Sequence, residues 1–195
     1  MIRAFLAIDL PDAVRSALAV QQFLLPLPRK VEPENLHLTL VFLGEVPEPV
    51  LTDAHDLFSA IRSDAFSVHL QGLGLFGGNR PRAAWAGVAP SASLTRLQAK
   101  LDHAARSAGC KVDPRRFHPH VTLGSFAPPP AADAMRLERA IAADMGFRTD
   151  PFPVSEVVLY RSTLNPKGAR YDPLARYALR EGPTPGVPPP DPQSI

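Results

Sequence analysis

One cysteine in 195 residues, Cys110, leaves no internal disulfide to staple the fold and no Cys pair to hold a metal. It reads as a half-buried bystander in a reducing compartment, and the chain as cytoplasmic. No stretch approaches eighteen uninterrupted apolar residues, and the opening MIRAFLAIDLPD is too short for a signal peptide and is broken by Asp9. Neither a membrane span nor a targeting segment is expected. Charge of one sign is lacking too: 21 Lys+Arg against 19 Asp+Glu leave a formal +2, too little to draw the protein broadly onto a polyanion. A nucleic-acid partner would have to be gripped in a local cleft, as a small or end-on substrate rather than a long duplex. Gly72-Leu73-Gly74 and Gly77-Gly78 lack the strand-to-helix setting and the Lys-Ser/Thr of a phosphate loop, and read as turns or bulges.

What is present suffices for one substantial core, with 45% hydrophobic residues in a chain of single-domain length. Arg3 to Leu10 is short, apolar and closed by Pro11, as a buried strand would be; an amphipathic helix then runs to about Leu25. Leu36 to Leu43 reads as a strand closed by Gly44, Glu48 to Ile61 as a helix, and Phe66 to Phe76 and Ala83 to Val88 as strands. A helix from Ser91 to Ala108, capped by Ser91 or Ser93, follows. Next come a strand from His120 to Phe126, a helix from Ala131 to Ala143, a strand from Val154 to Thr163 and an extended piece over Tyr171 to Leu179. Residues 1–182 thus read as a single domain. The proline-rich 183–195 cannot bury anything and reads as a disordered tail.

Helices and strands alternate in two comparable halves, and each half carries the same four-residue pattern. It stands at His37-Leu38-Thr39-Leu40 and again, eighty-three residues later, at His120-Val121-Thr122-Leu123. Successive side chains of a strand point to opposite faces, so each copy sends two aliphatic groups into a core and offers an imidazole and a hydroxyl on the other side. One His-x-Thr on a strand is commonplace; a matched pair at corresponding places is not. If the strands meet across a groove, two imidazoles and two hydroxyls converge. That set suits phosphoryl chemistry: a neutral imidazole takes a proton from water, an imidazolium protonates the leaving oxygen, and the hydroxyls donate to the non-bridging oxygens. Neither a metal nor a cofactor is required, and His118-Pro119-His120 has no third or fourth ligand at a recognisable spacing. His118 is read as shaping the start of its strand by hydrogen bonding. His55, His69 and His103 read as structural or solvated, and Trp85 as buried on its strand.

In these contexts, PENLHLTLVFLGEVPE and FHPHVTLG together with FLAIDLPD and VLYRSTLNPKGARYDPL, the chain resembles the two-histidine (2H) phosphoesterases, and among them the bacterial RNA 2′,3′-cyclic phosphodiesterases, long called 2′-5′ RNA ligases. The resemblance spans about Ile2 to Leu179. It implies an α+β, bilobal, pseudo-two-fold fold in which two antiparallel sheets line a U-shaped groove with helices outside. It also implies a monomeric, metal-independent enzyme that opens 2′,3′-cyclic phosphate ends of RNA, or a cyclic nucleotide, to the 2′-phosphate, with possible reversible 2′-5′ ligation. On that analogy His37 is the proton donor and His120 the acceptor, with Thr39, Thr122, Phe42, Ser125 and Arg161 toward the substrate. Phe42 has two readings, since strand parity puts it on the core face with Leu38 and Leu40 while an aromatic face could stack on a base. Many bacterial relatives carry an Arg five residues after the second His, where this chain has Ser125. Arg161, Arg170, Arg80, Arg82 or Arg116 could supply the charge, although each also reads as a solvated surface arginine. Two other functions stay open: an RNA- or nucleotide-binding module with little turnover, and a 2′-5′ oligonucleotide phosphodiesterase.

Overall fold

A computed structural model of the chain describes residues 1–144, 146–165 and 168–181. Nine strands and four helices follow in the order β1 (Ile2–Asp9), α1 (Asp12–Leu24), β2 (His37–Val46), α2 (Glu48–Ala60), β3 (Phe66–Val68), β4 (Leu70–Phe76), β5 (Ala83–Val88), α3 (Ala92–Ser107), β6 (His120–Ser125), α4 (Ala131–Ala143), β7 (Phe152–Val154), β8 (Glu156–Asn165) and β9 (Gly168–Ala178). A single 3-10 turn at Pro33–Asn35 precedes β2. The expected tail, 183–195, lies outside the described residues.

Seven strands form one antiparallel sheet in the order β4-β5-β6-β2-β1-β8-β9, and β3 pairs with β7 in a small second sheet. The expected two sheets are the halves of the large one, β4-β5-β6 and β2-β1-β8-β9. A single pairing joins them, Leu38 opposite Val121. Both residues have no exposed surface and belong to one continuous core with Leu40, Leu94, Leu97, Leu101 and Leu123. Beyond that bridge the strands part, because another segment takes over the edge of β6. The Val31 amide donates to the Leu123 carbonyl at 2.9 Å. The buried Gln22 amide nitrogen donates to both the Val31 and Leu123 carbonyls, at 2.7 and 2.8 Å. Gly124 is needed there, since a Cβ would stand 2.5 Å from the Arg29 carbonyl oxygen.

Strand order reveals the duplication that residue identity was too faint to establish. The unit β-α-β-α-β-β runs from β1 to β4 and again from β5 to β8, and a pseudo-two-fold axis at the β6/β2 junction exchanges β5 with β1 and β4 with β8. Each unit lends its last strand to the other's sheet: β4 pairs with β5, and β8 with β1. The helices cross over as well, α1 packing on β6 and α3 on β2.

Two expected strands prove to be two elements each. Phe66 to Phe76 divides into β3 and β4, and Val154 to Thr163 begins as β7 and continues as β8, because β3 and β7 leave the main sheet to pair with each other. β2 does not stop at Gly44 but passes through it, the glycine taking φ +72°, a region that favours glycine, at a bulge against Ala4 and Phe5. The cap expected on α3 is present, the Ser91 hydroxyl accepting from the Leu94 amide at 3.2 Å.

Candidate active site

The Leu38–Val121 pairing fixes the register of the two motifs. In an antiparallel ladder the neighbours of a pair also stand opposite each other, so His37 lies across from Thr122 and Thr39 from His120, all on the face away from the core. The two histidines stand at diagonal corners of this quartet; in a continuous ladder such corners are about 7–8 Å apart, and here the strands part beyond the single bridge. His37, Thr39 and Thr122 line a cavity of about 250 Å³ together with Phe42 and Ser125. His120 is not among its lining residues, yet is near enough for its charge to act on the His37 ring.

Both rings are held the same way. The Nδ1 of His37 is 2.7 Å from the Asn35 carbonyl oxygen, and the Nδ1 of His120 is 2.7 Å from the His118 carbonyl oxygen. A carbonyl only accepts, so Nδ1 carries the proton in each and Nε2 is left for chemistry. Aromatic walls hold the rings in place. Phe5 lies 4.8 Å from His37 and Tyr171 5.2 Å, edge-on; Phe76 lies 4.8 Å from His120 and Trp85 6.3 Å, the two rings packing on each other at 5.4 Å. Trp85 is thus half-buried on the groove face rather than in the core, and Gly74 makes space for it: a Cβ there would stand 2.2 Å from the indole. His118 supplies the carbonyl and packs edge-on against Trp85 at 4.9 Å.

Burial holds both imidazoles below their ordinary value of 6.5. For His37 the bond to Asn35 and the charge of Asp9 oppose this, while Arg15 and His120 add to it. For His120 the bond to the His118 carbonyl opposes it and the His118 ring adds to it. The pseudo-symmetry breaks at this point. Asp9 is the β1 partner of His37 in the ladder, whereas the β5 partner of His120 is Gly87, where a Cβ would stand 2.8 Å from the Gln71 carbonyl oxygen. One histidine has a carboxylate at its side and the other has none there. Asp9 is itself anchored, accepting from the Tyr160 hydroxyl at 2.6 Å and facing Arg176 at 3.4 Å.

The family model of the 2′-5′ RNA ligase superfamily matches residues 10–166. The chain belongs to that superfamily, the two-histidine phosphoesterases. Among curated proteins it is 34% identical to the RNA 2′,3′-cyclic phosphodiesterase of Escherichia coli K12 over 183 residues, covering 92% of this chain and 97% of that one. To the protein of the same name from Archaeoglobus fulgidus it is 33% identical, covering 89% and 98%. Solved structures similar to this chain include TT0787 of Thermus thermophilus (TM-score 0.75, 31% identity, 92% and 99% covered) and E. coli LigT complexed with 3′-AMP (TM-score 0.73, 31% identity, 91% and 97% covered).

Within this 2H fold, Thr39, Thr122, Phe42 and Ser125 share the cavity with His37, whereas Arg161 does not. Arg161 is exposed, and by strand alternation Ser162 takes the groove face of β8 and lines the cavity. Arg170 is engaged with Asp172 at 2.7 Å, and Arg80, Arg82 and Arg116 are exposed and outside the lining. Phe42 departs from its parity because Leu40 and Val41 are both buried at a bulge, Leu6 pairing with Val41 and Ala7 with Thr39. That extra residue returns Phe42 to the His37 face. Arg3, Asn35, Ser162 and Tyr171 also line the cavity and were missed from sequence. The alternation Arg3-x-Phe5-x-Ala7-x-Asp9 on an otherwise apolar strand was the available signal. Among the described residues no group of three or more His, Cys, Asp or Glu could hold a metal, and no helix is long and apolar enough to cross a membrane.

Proposed function

We propose that the protein is a metal-independent RNA 2′,3′-cyclic phosphodiesterase, acting on cyclic phosphate ends to leave a 2′-phosphate. The observation that carries this is the paired presentation of two Nδ1-anchored imidazoles, one beside a carboxylate, at opposite corners of a face that also bears two threonines. The curated relatives bearing that name match over nearly the whole chain. His37 is the acid, because Asp9 stabilises its imidazolium; His120, without such a neighbour, is the base. An anionic phosphate entering between them raises the proton affinity of both rings and leaves one charged. The Nε2 of His120 takes a proton from water as its oxygen attacks phosphorus. The P–O3′ bond breaks, and the Nε2 of His37 protonates O3′, giving a 2′-phosphomonoester and a free 3′-hydroxyl. Thr39 and Thr122 donate to the non-bridging oxygens as charge builds there.

RNA rather than a mononucleotide is favoured as substrate by the space beside the site. A second pocket of about 760 Å³, carrying Arg29 and Lys30, shares Val31, Asn35, Ser125, Leu164 and Tyr171 with the first. A chain longer than one nucleotide has a path there past two cations. Product analysis with a 2′,3′-cyclic phosphate oligonucleotide in excess chelator tests the proposal. His37→Ala and His120→Ala should each lower turnover by roughly 100-fold or more. Tight binding with no product in the wild-type protein would instead identify a binding module, and preferential cleavage of 2′-5′ oligoadenylate a different diesterase.

A further inference from the structure

We infer that Arg3 is the residue that grips the scissile phosphate, so that in this chain the cation comes from the first strand of the fold instead of from β6; this rests on the phosphodiesterase reading above. Among the described residues Arg3 is the only Lys or Arg lining the cavity that holds His37, Thr39 and Thr122. Strand alternation sets it on the same face of β1 as Phe5, whose ring packs on His37, and as Asp9. Its guanidinium carbon sits 4.7 Å above the Phe42 ring, which supports the planar group from one side and makes no claim on its donors.

Among the described residues its Nε is buried with no hydrogen-bond partner and no ion pair includes Arg3, whereas Arg106, Arg115, Arg170 and Arg176 all have carboxylates. Its ladder partner on β2, Glu45, is exposed and makes no bond to it among the described residues. A buried, unpaired guanidinium donor is costly unless a ligand satisfies it. A phosphate between the histidines would do so, presenting two oxygens to the planar fork. Ser125 borders the same cavity with a short neutral side chain and brings no charge to it.

The test is steady-state hydrolysis of a 2′,3′-cyclic phosphate oligonucleotide by Arg3→Gln, Arg3→Lys and Arg3→Gln/Ser125→Arg beside His37→Ala. Arg3→Gln should lose roughly 100-fold in kcat/KM and Arg3→Lys distinctly less, while Ser125→Arg in the Arg3→Gln background should recover about tenfold or more. Inorganic phosphate should inhibit the wild type competitively and Arg3→Gln far more weakly. A folded Arg3→Gln with kcat/KM within threefold of wild type overturns the inference. Should that variant fail to fold, the wild-type Arg3 Nε–H resonance decides: it must move on saturation with phosphate, and an unmoved signal overturns the inference. Wild-type protein that turns over nothing removes the phosphodiesterase reading itself, whereas turnover abolished by His37→Ala but insensitive to Arg3→Gln removes only the role of Arg3.

Discussion

The carboxylate of Asp9 stands beside one of the two motif imidazoles and not the other, and on the proposed reading this asymmetry makes His37 the acid and His120 the base. Both rings titrate below 6.5 in the free protein, so both limbs of the kcat/KM profile should fall on the acid side of the ordinary imidazole range. Asp9 opposes that depression at His37, against burial, Arg15 and His120. Removing its charge in Asp9→Asn therefore lowers the His37 value further. If His37 is the donor, the alkaline limb moves to lower pH and activity at neutral pH drops. A limb that stays in place, or an acid limb that moves instead, would reverse the assignment of acid and base. The profile of kcat, recorded with the phosphate anion in place, should lie at higher pH than that of kcat/KM. Parity arguments reached His37, Thr39, His120 and Thr122 correctly because the bulges, at Leu40 and at Leu123, come only after them, and failed at Phe42 because it lies beyond the first.

At the scale of elements, the groove exists because β2 and β6 touch at one pairing and then separate, with the segment ending at Val31 docked along β6. Gly124→Ala would drive a Cβ to 2.5 Å from the Arg29 carbonyl oxygen. Backbone must yield, at a cost of about 1–3 kcal/mol. Since Arg29, Lys30 and Val31 border the larger pocket, KM for an oligonucleotide should rise along with the loss of stability, which a denaturant titration beside the kinetics would register. Ser91→Ala is the contrasting case. It removes the α3 cap at Leu94, which lines neither of the two pockets at the site, and should cost about 1 kcal/mol without changing kcat; a thermal melt lowered by about 2–4 °C is the expected size for a chain of this length. The α3 cap and the amphipathic spacing of the helices were legible because they are local. The division of Phe66 to Phe76 into strands of two sheets was not, since nothing in those residues states which partner each will find.

For the whole molecule, the exchange of terminal strands between the two repeat units makes the lobes interdependent. The first unit's β1 is bordered by β8 of the second, and the second's β5 by β4 of the first. Each lobe also leans on the other's helix, α1 on β6 and α3 on β2. Fragments 1–78 and 79–195, divided in the exposed Gly77-Gly78 turn, should each lack a cooperative unfolding transition alone. Together they should recover one, with hydrolytic activity. A fragment that melts cooperatively by itself would mean that a lobe is a self-sufficient unit.

Sequence by itself determined the alternation of elements, the doubled His-x-Thr pattern and the chemistry available to it, because periodicity of two and side-chain identity are properties of short stretches. Only the tertiary structure decided which cation, which carboxylate and which aromatic rings surround those histidines. Arg3, Asp9 and Trp85 reach the site through ladder register, bulges and close glycine contacts, all relations between segments far apart in the chain. Register is set by the packing of both faces of a sheet at once, so Arg3 and Asp9 are placed by the β1–β2 ladder and Trp85 by the β5–β6 ladder, and the Leu38–Val121 joint brings the two sets together.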